Sequence, residues 1–164
     1  MASTLAAGDK VVDYTLKDTA GVVRSSAEAR ANGLLLYAFY KRTCGTCQYA
    51  LPFLQRFQDY YAGKGFQIWG VAQENAGDAA DFAQEYGATF PQLVDSALDV
   101  TEKYDLVSVP GVYLVDRSDG ILRSASAFVV DELNAISQLV AERTGQSYRP
   151  VVSEADGAPA IKPG

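Results

Sequence analysis

Seven consecutive apolar residues, LLLYAFY from Leu34 to Tyr40, constrain this chain more than any other feature. The run does not alternate, so it does not suit a strand with one wet face. It has the pattern of a strand buried on both faces in a largely parallel sheet, with helices covering each side. It is also far shorter than the roughly 20 residues that span a bilayer, and no membrane partner is expected. FQIWGVA, from Phe66 to Ala72, is a second run of the same kind. Between the two, Ala50, Leu51, Phe53, Leu54 and Phe57 fall at helical spacing. The segment from Cys44 to about Ala62 therefore reads as a helix, closed by Gly63 and Gly65.

The remaining pattern continues the alternation. Val11 to Leu16 and Val22 to Ser25 read as an N-terminal hairpin turning through Asp18 to Gly21. Asp78 is a candidate cap for a helix ended by Gly87. Phe90 to Val94 reads as a short strand, and Asp95 or Ser96 opens a helix to about Leu106. Gly111 to Asp116 and Ile121 to Ser126 form a second hairpin around Ser118-Asp119-Gly120. Val130 to Arg143 carries Leu133, Ile136, Leu139 and Val140 on one helical face. The fold class is α/β, with a central mixed sheet flanked by helices. Residues 1–145 are expected to form one domain. Residues 146–164, with three prolines and no periodicity, are expected to be a loosely ordered tail.

Composition removes several kinds of chemistry. A chain of 164 residues has the size of one domain. Its net charge of −6 argues against a nucleic-acid partner, which needs clustered Lys and Arg. It contains no histidine, which excludes Ser-His-Asp and Cys-His catalysis and every His-containing zinc site. The N-terminal residues carry neither a basic segment nor a long apolar one, so a cytoplasmic location is expected.

The only two cysteines, Cys44 and Cys47, stand in CGTC where the first buried strand hands over to the helix. There the sulfur of Cys44 faces unpaired backbone N–H groups and the positive end of the helix dipole. Cysteines so placed have pKa values of roughly 3.5–7.5, against about 8.5 for a free thiol. Lys41 and Arg42 are candidates to strengthen that effect. Cys47, almost one turn on, shares a face with Cys44 and is suited to resolve a mixed disulfide formed there. Three other readings compete. A metal half-site lacks further Cys or His ligands, so no metal is expected. A structural staple closing so short a loop removes little chain entropy. Two inert thiols fit poorly with a strand–CxxC–helix placement. Val109-Pro110, at the head of a strand, is a candidate cis peptide exposing backbone polar groups to a visiting peptide. Pro52 should kink the helix. Trp69 is read as core, and Tyr40 and Tyr49 as packing residues near the site.

The order of these elements resembles the thioredoxin-fold superfamily, nearest to the TlpA/ResA-like thiol–disulfide oxidoreductases. These share a redoxin (AhpC/TSA-type) domain with peroxiredoxins. The resemblance runs from about Gly8 to Arg143 and includes GDKVVDYTLKDTAGVV, LLLYAFYKRTCGTCQYALPFL, FPQLVDSALDVTEKYDLVSVPGVYLVD and DGIL. It implies a thioredoxin-like fold with an N-terminal hairpin and an inserted helix. It further implies an exposed nucleophile at Cys44, a resolving thiol at Cys47, a cis-proline at Pro110 and substrate contact at Val109 and Pro110. No cofactor follows from it. The implied partners are a protein or small-molecule disulfide and a thiol reductant. The chain departs from the family pattern in three places. Thr43 stands where Trp is usual, and Ala38 and Ala50 stand where such proteins place a buried carboxylate. The alternative is a peroxiredoxin-like thiol peroxidase with antioxidant activity. That family's P-x-x-x-T/S-x-x-C pattern, counted back from either cysteine, finds no match. A non-catalytic binding module is the third possibility.

Overall fold

The computed structural model describes residues 4–164. A short antiparallel hairpin, β1 (Thr15–Lys17) with β2 (Val23–Ser25), opens the chain. Helix α1 (Ser26–Ala31) follows, then β3 (Leu34–Tyr40), α2 (Gly45–Tyr61), β4 (Phe66–Ala72) and α3 (Ala76–Glu85). Next come β5 (Gln92–Val94), α4 (Asp99–Lys103), β6 (Gly111–Val115), β7 (Arg123–Ser126) and β8 (Phe128–Val129). Helix α5 (Val130–Thr144), a 3-10 turn (Glu154–Asp156) and β9 (Ile161–Lys162) complete it. Five strands form the central sheet in the order β5-β4-β3-β6-β7. β3 runs parallel to β4 and antiparallel to β6, so the sheet is mixed. Helix α3, between β4 and β5, is the expected inserted helix. No helix of the described residues is long and apolar enough to cross a membrane.

β3 lies at the centre of this sheet, and each of its seven residues is buried, as an unbroken apolar run requires. One face carries an aromatic layer. Tyr37 and Phe39 meet Tyr104 and Tyr113, with Tyr14 edge-on to Tyr37 and Trp69 beyond it. The polar ends are mostly satisfied: Tyr37 and Tyr104 bond each other, and Tyr104 and Tyr113 donate to the carbonyls of Val12 and Leu5. On the opposite face Tyr40 stacks on Phe82 of α3 and donates to the side chain of Gln92. Gly70 makes that arrangement possible. A Cβ there would stand 2.1 Å from Gln92 Oε1 and 2.9 Å from Tyr40 Cε1. Trp69 and Tyr40 are thus core residues, as expected.

Several boundaries differ from the sequence reading. Helix α1 was not anticipated: six residues show little periodicity, although the Ser25-x-x-Glu28 capping signature marks its start. Its cap forms, with Glu28 N–H donating to Ser25 Oγ. α3 is capped by Asn75, not Asp78, because Asn75 has the extended backbone and its side chain accepts the Asp78 N–H. α4 ends at Lys103, and its first turn is held by the Asp95 carboxylate, which accepts from Val100 N, Thr101 N and Thr101 Oγ. Pro52 is exposed and α2 runs through it without ending.

The largest correction concerns residues 146–164. They are not loose but packed onto the domain. Val151 and Val152 are buried, and the Asn134 amide bonds the Val152 backbone in both directions. Arg56 grips Asp156 with two bonds of 2.8 and 2.9 Å, which holds that carboxyl well below the usual range. Arg149 stacks 3.7 Å from the Tyr60 ring centroid, and β9 pairs with β8. The absence of periodicity misleads here because the segment is held by single anchors, each matched to a distant residue, and forms no amphipathic element of its own.

Replacing Gly70 with Ala is expected to lower stability to urea by about 1–3 kcal/mol, the usual cost of overpacking. A Gly70→Ala protein as stable as the wild type would show that the Tyr40–Gln92 packing yields freely.

Candidate active site

Cys44 is the N-cap of α2. Its backbone is extended (φ −85°, ψ 112°), which turns its side chain back over the first turn of the helix. The Cys47 N–H donates to Cys44 Sγ at 3.1 Å, and the Cys44 thiol donates to the Val109 carbonyl at 3.4 Å. The Val109-Pro110 bond is cis, as the sequence suggests. The structure therefore brings Cys44, Cys47, Val109 and Pro110 together at one end of β3 and β6.

The turn that carries Cys44 is fastened from three directions. Cys44 N donates to the Lys41 carbonyl, and Gln48 Nε2 donates to the Arg42 carbonyl. From the end of β4, Glu74 Oε1 accepts the Arg42 N–H at 2.7 Å. These clamps matter because a sulfur acts as a helix cap only when its Cα is held at the right angle to the first turn. Glu74, at the end of β4 where α/β sheets commonly place ligand contacts, and Gln48 act through the backbone of a distant and a neighbouring loop, and no sequence pattern marks either pairing.

The two sulfurs are unequal. Both are free. Cys47 is 2% exposed, and burial followed by its hydrogen bond to Cys44 pushes its thiol pKa well up. The Lys41 amide and charge oppose that rise without cancelling it. The Cys47 N–H is aimed at Cys44 Sγ, which is the sulfur that meets the cavity. Cys44 is itself 9% exposed, a correction to the expected exposed nucleophile. Lys41 lines the same cavity as Cys44. The Arg42 guanidinium pairs with Asp78 at 3.4 Å and Glu85 at 3.9 Å.

Ala38 and Ala50 are buried and bring no acid to Cys47. The half-buried carboxyl of Glu74 has one enclosed oxygen, Oε2, without a hydrogen-bond partner. After burial itself, Glu74 and then Cys47 push up the Tyr40 phenol pKa. A cavity of about 810 Å³ opens beside Cys44, walled by Gln73, Leu106, Val107, Lys162 and Pro163 among others. Gln73, just past β4, is one wall of that cavity, and Asn75 two residues on caps α3. Tyr49 packs on Phe53 and Phe128.

Comparison with known proteins places this geometry in context. The AhpC/TSA family model matches residues 7–125. Thiol-disulfide oxidoreductase ResA of Halalkalibacterium halodurans is 24% identical over 128 residues, covering 77% of this chain and 72% of that protein. ResA of Geobacillus kaustophilus is 26% identical over 120 residues, 71% of this chain and 67% of that protein. Among solved structures, the thiol:disulfide interchange protein DsbE of Chlorobium tepidum superposes with a TM-score of 0.75 at 26% identity, covering 87% of this chain and all of that one. The expected thioredoxin-like fold is confirmed by this likeness.

The inequality of the sulfurs has a consequence for stability. Cys47 titrates near 9.0 when unperturbed and far higher in the folded chain. A neutral buried thiol therefore stabilises fully below about pH 9 and loses that contribution as pH rises further. Relative to Cys47→Ala, the reduced wild type is expected to lose about 1.4 kcal/mol per pH unit above pH 9 in urea titrations. The buried tyrosines act in both proteins and cancel. Parallel pH profiles for the two would mean that Cys47 is not held protonated.

Proposed function

The chain belongs to the AhpC/TSA family, and from that membership we propose that it is a thiol–disulfide oxidoreductase cycling Cys44 and Cys47 between dithiol and disulfide. The observation that carries this reading is the Cys47 N–H directed at Cys44 Sγ, with the Cys47 thiol buried behind it. The names of the ResA relatives support it.

In the reducing direction the Cys44 thiolate attacks one sulfur of a substrate disulfide. A Cys44–substrate disulfide forms and the other substrate sulfur leaves as a thiolate. Cys47 then gives up its proton to the departing thiolate. Its sulfur attacks Cys44 Sγ, the mixed disulfide breaks, and the second substrate sulfur leaves as a thiolate that takes a proton from solvent, matching the one Cys44 lost on ionising. Two electrons pass from the cysteine pair to substrate, with one proton from Cys47 and one from solvent, and the Cys44–Cys47 disulfide remains for a thiol reductant to reopen. The Val109 carbonyl, which accepts from the Cys44 thiol, is the backbone group available to a substrate at that sulfur. No cofactor enters the cycle.

A peroxidase needs a hydroxyl beside its sulfur. Here the partners of Cys44 Sγ are the Cys47 amide and the Val109 carbonyl, and no side-chain hydroxyl bonds it. Antioxidant activity would then arise only through disulfide exchange.

Reduced wild type is expected to reduce insulin disulfides while consuming hydrogen peroxide no faster than a free thiol. Cys44→Ser should fall to the uncatalysed rate. Cys47→Ser should accumulate a mixed disulfide visible by mass spectrometry and turn over poorly. Fast peroxide turnover without insulin reduction would reverse the assignment. Full function after Cys44→Ser would point to a binding module.

A further inference from the structure

The cavity beside Cys44 is not bounded by the domain alone. Lys162, Pro163 and Gly164 form part of its wall. The Thr46 hydroxyl, inside the CGTC motif, donates to the Pro163 carbonyl. Ile161 and Lys162 pair antiparallel with Val129 and Phe128, and the Lys162 ammonium stands 5.7 Å over the Tyr49 ring. At Gly164 the approach is closest of all: a Cβ there would stand 2.3 Å from the Val109 carbonyl oxygen. Val109 is therefore approached by both the Cys44 thiol and the chain's own residue 164.

The segment has two grades of attachment. Its upstream part is anchored by buried Val151 and Val152 and by the Arg56–Asp156 pair. Its last stretch is held more lightly, by a two-residue ladder, one hydroxyl and the Lys162–Tyr49 contact, with Ile161 65% exposed. Elements with few buried contacts open locally at low cost. A short tether also keeps the segment at an effective concentration of millimolar order, so weak contacts suffice to keep it in place.

We propose that Ile161–Gly164 is a tethered occupant of the substrate cleft, and that a disulfide substrate reaches Cys44 by displacing it. The partner that fits is an extended polypeptide with a glycine-sized residue against the Val109 carbonyl. This rests on the thiol–disulfide reading for its meaning, but its test does not. The segment and Cys44, which is 9% exposed, line the same cavity of about 810 Å³.

The test is the rate at which a bulky maleimide labels Cys44 in the reduced full chain, followed by peptide mass mapping. Removing residues 161–164 is expected to speed labelling by about tenfold, the equivalent of two ordinary hydrogen bonds. Gly164→Val, which leaves the rest of the chain intact, should act in the same direction through its clash with Val109. The peptide Ala-Ile-Lys-Pro-Gly at millimolar concentration should slow labelling of the truncated protein towards the full-length rate. Equal labelling rates in the full chain, the truncated chain and Gly164→Val overturn the proposal. Labelling requires no disulfide-reducing activity. Faster labelling in a protein that reduces no disulfide would therefore sink the enzymatic reading and leave the covering segment standing.

Discussion

The contact on which the site depends is a single backbone amide aimed at a sulfur, Cys47 N–H on Cys44 Sγ at 3.1 Å. It exists because a helix must begin where a buried strand ends. β3 delivers the chain to the edge of the sheet, and α2 starts at Gly45 with its first N–H groups unpaired. Cys44 supplies the cap that a Ser or Asp supplies elsewhere. The substitution of sulfur for oxygen puts a reactive atom in a structural place, since the same N–H that satisfies the helix fixes where the sulfur stands. The clamps from Glu74 and Gln48 preserve that angle from outside the motif.

The second sulfur completes the device by being different. Cys47 lies behind Cys44 and almost out of solvent, so its proton is held while Cys44 reacts. One sulfur meets the substrate and the other waits. Ala38 and Ala50 are buried and bring no acid to this thiol, and the α3 carboxylates Asp78 and Glu85 face Arg42. The cycle must then rely on the departing substrate thiolate or on solvent to take the Cys47 proton. On the outer side, the Val109 carbonyl and the segment ending at Gly164 define what can approach.

Much of this was legible in the chain. Burial on both faces leaves an unbroken apolar run, so β3 and β4 could be read to the residue from Leu34–Tyr40 and Phe66–Ala72. The CGTC motif and the Val109-Pro110 pair carried the site, because a cap, a nearby thiol and an X-Pro bond are local features. What could not be read is what depends on partners far along the chain. Glu74 reaches Arg42 across 32 positions, and Arg56 reaches Asp156 across 100. Periodicity is blind to such pairs, and for that reason residues 146–164 looked unstructured. Asn75 and Asp78 were both chemically able to cap α3, and only the extended backbone at Asn75 decides between them.

The central claim is that the two sulfurs bond to each other and to nothing else within the chain. A redox titration in graded thiol–disulfide buffers, with free thiols alkylated and weighed by mass spectrometry, tests it directly. The account predicts one two-electron transition of the monomeric chain, of slope about 30 mV per decade, in which both thiols disappear together. A species with one thiol left free, or a disulfide joining two chains, would contradict it.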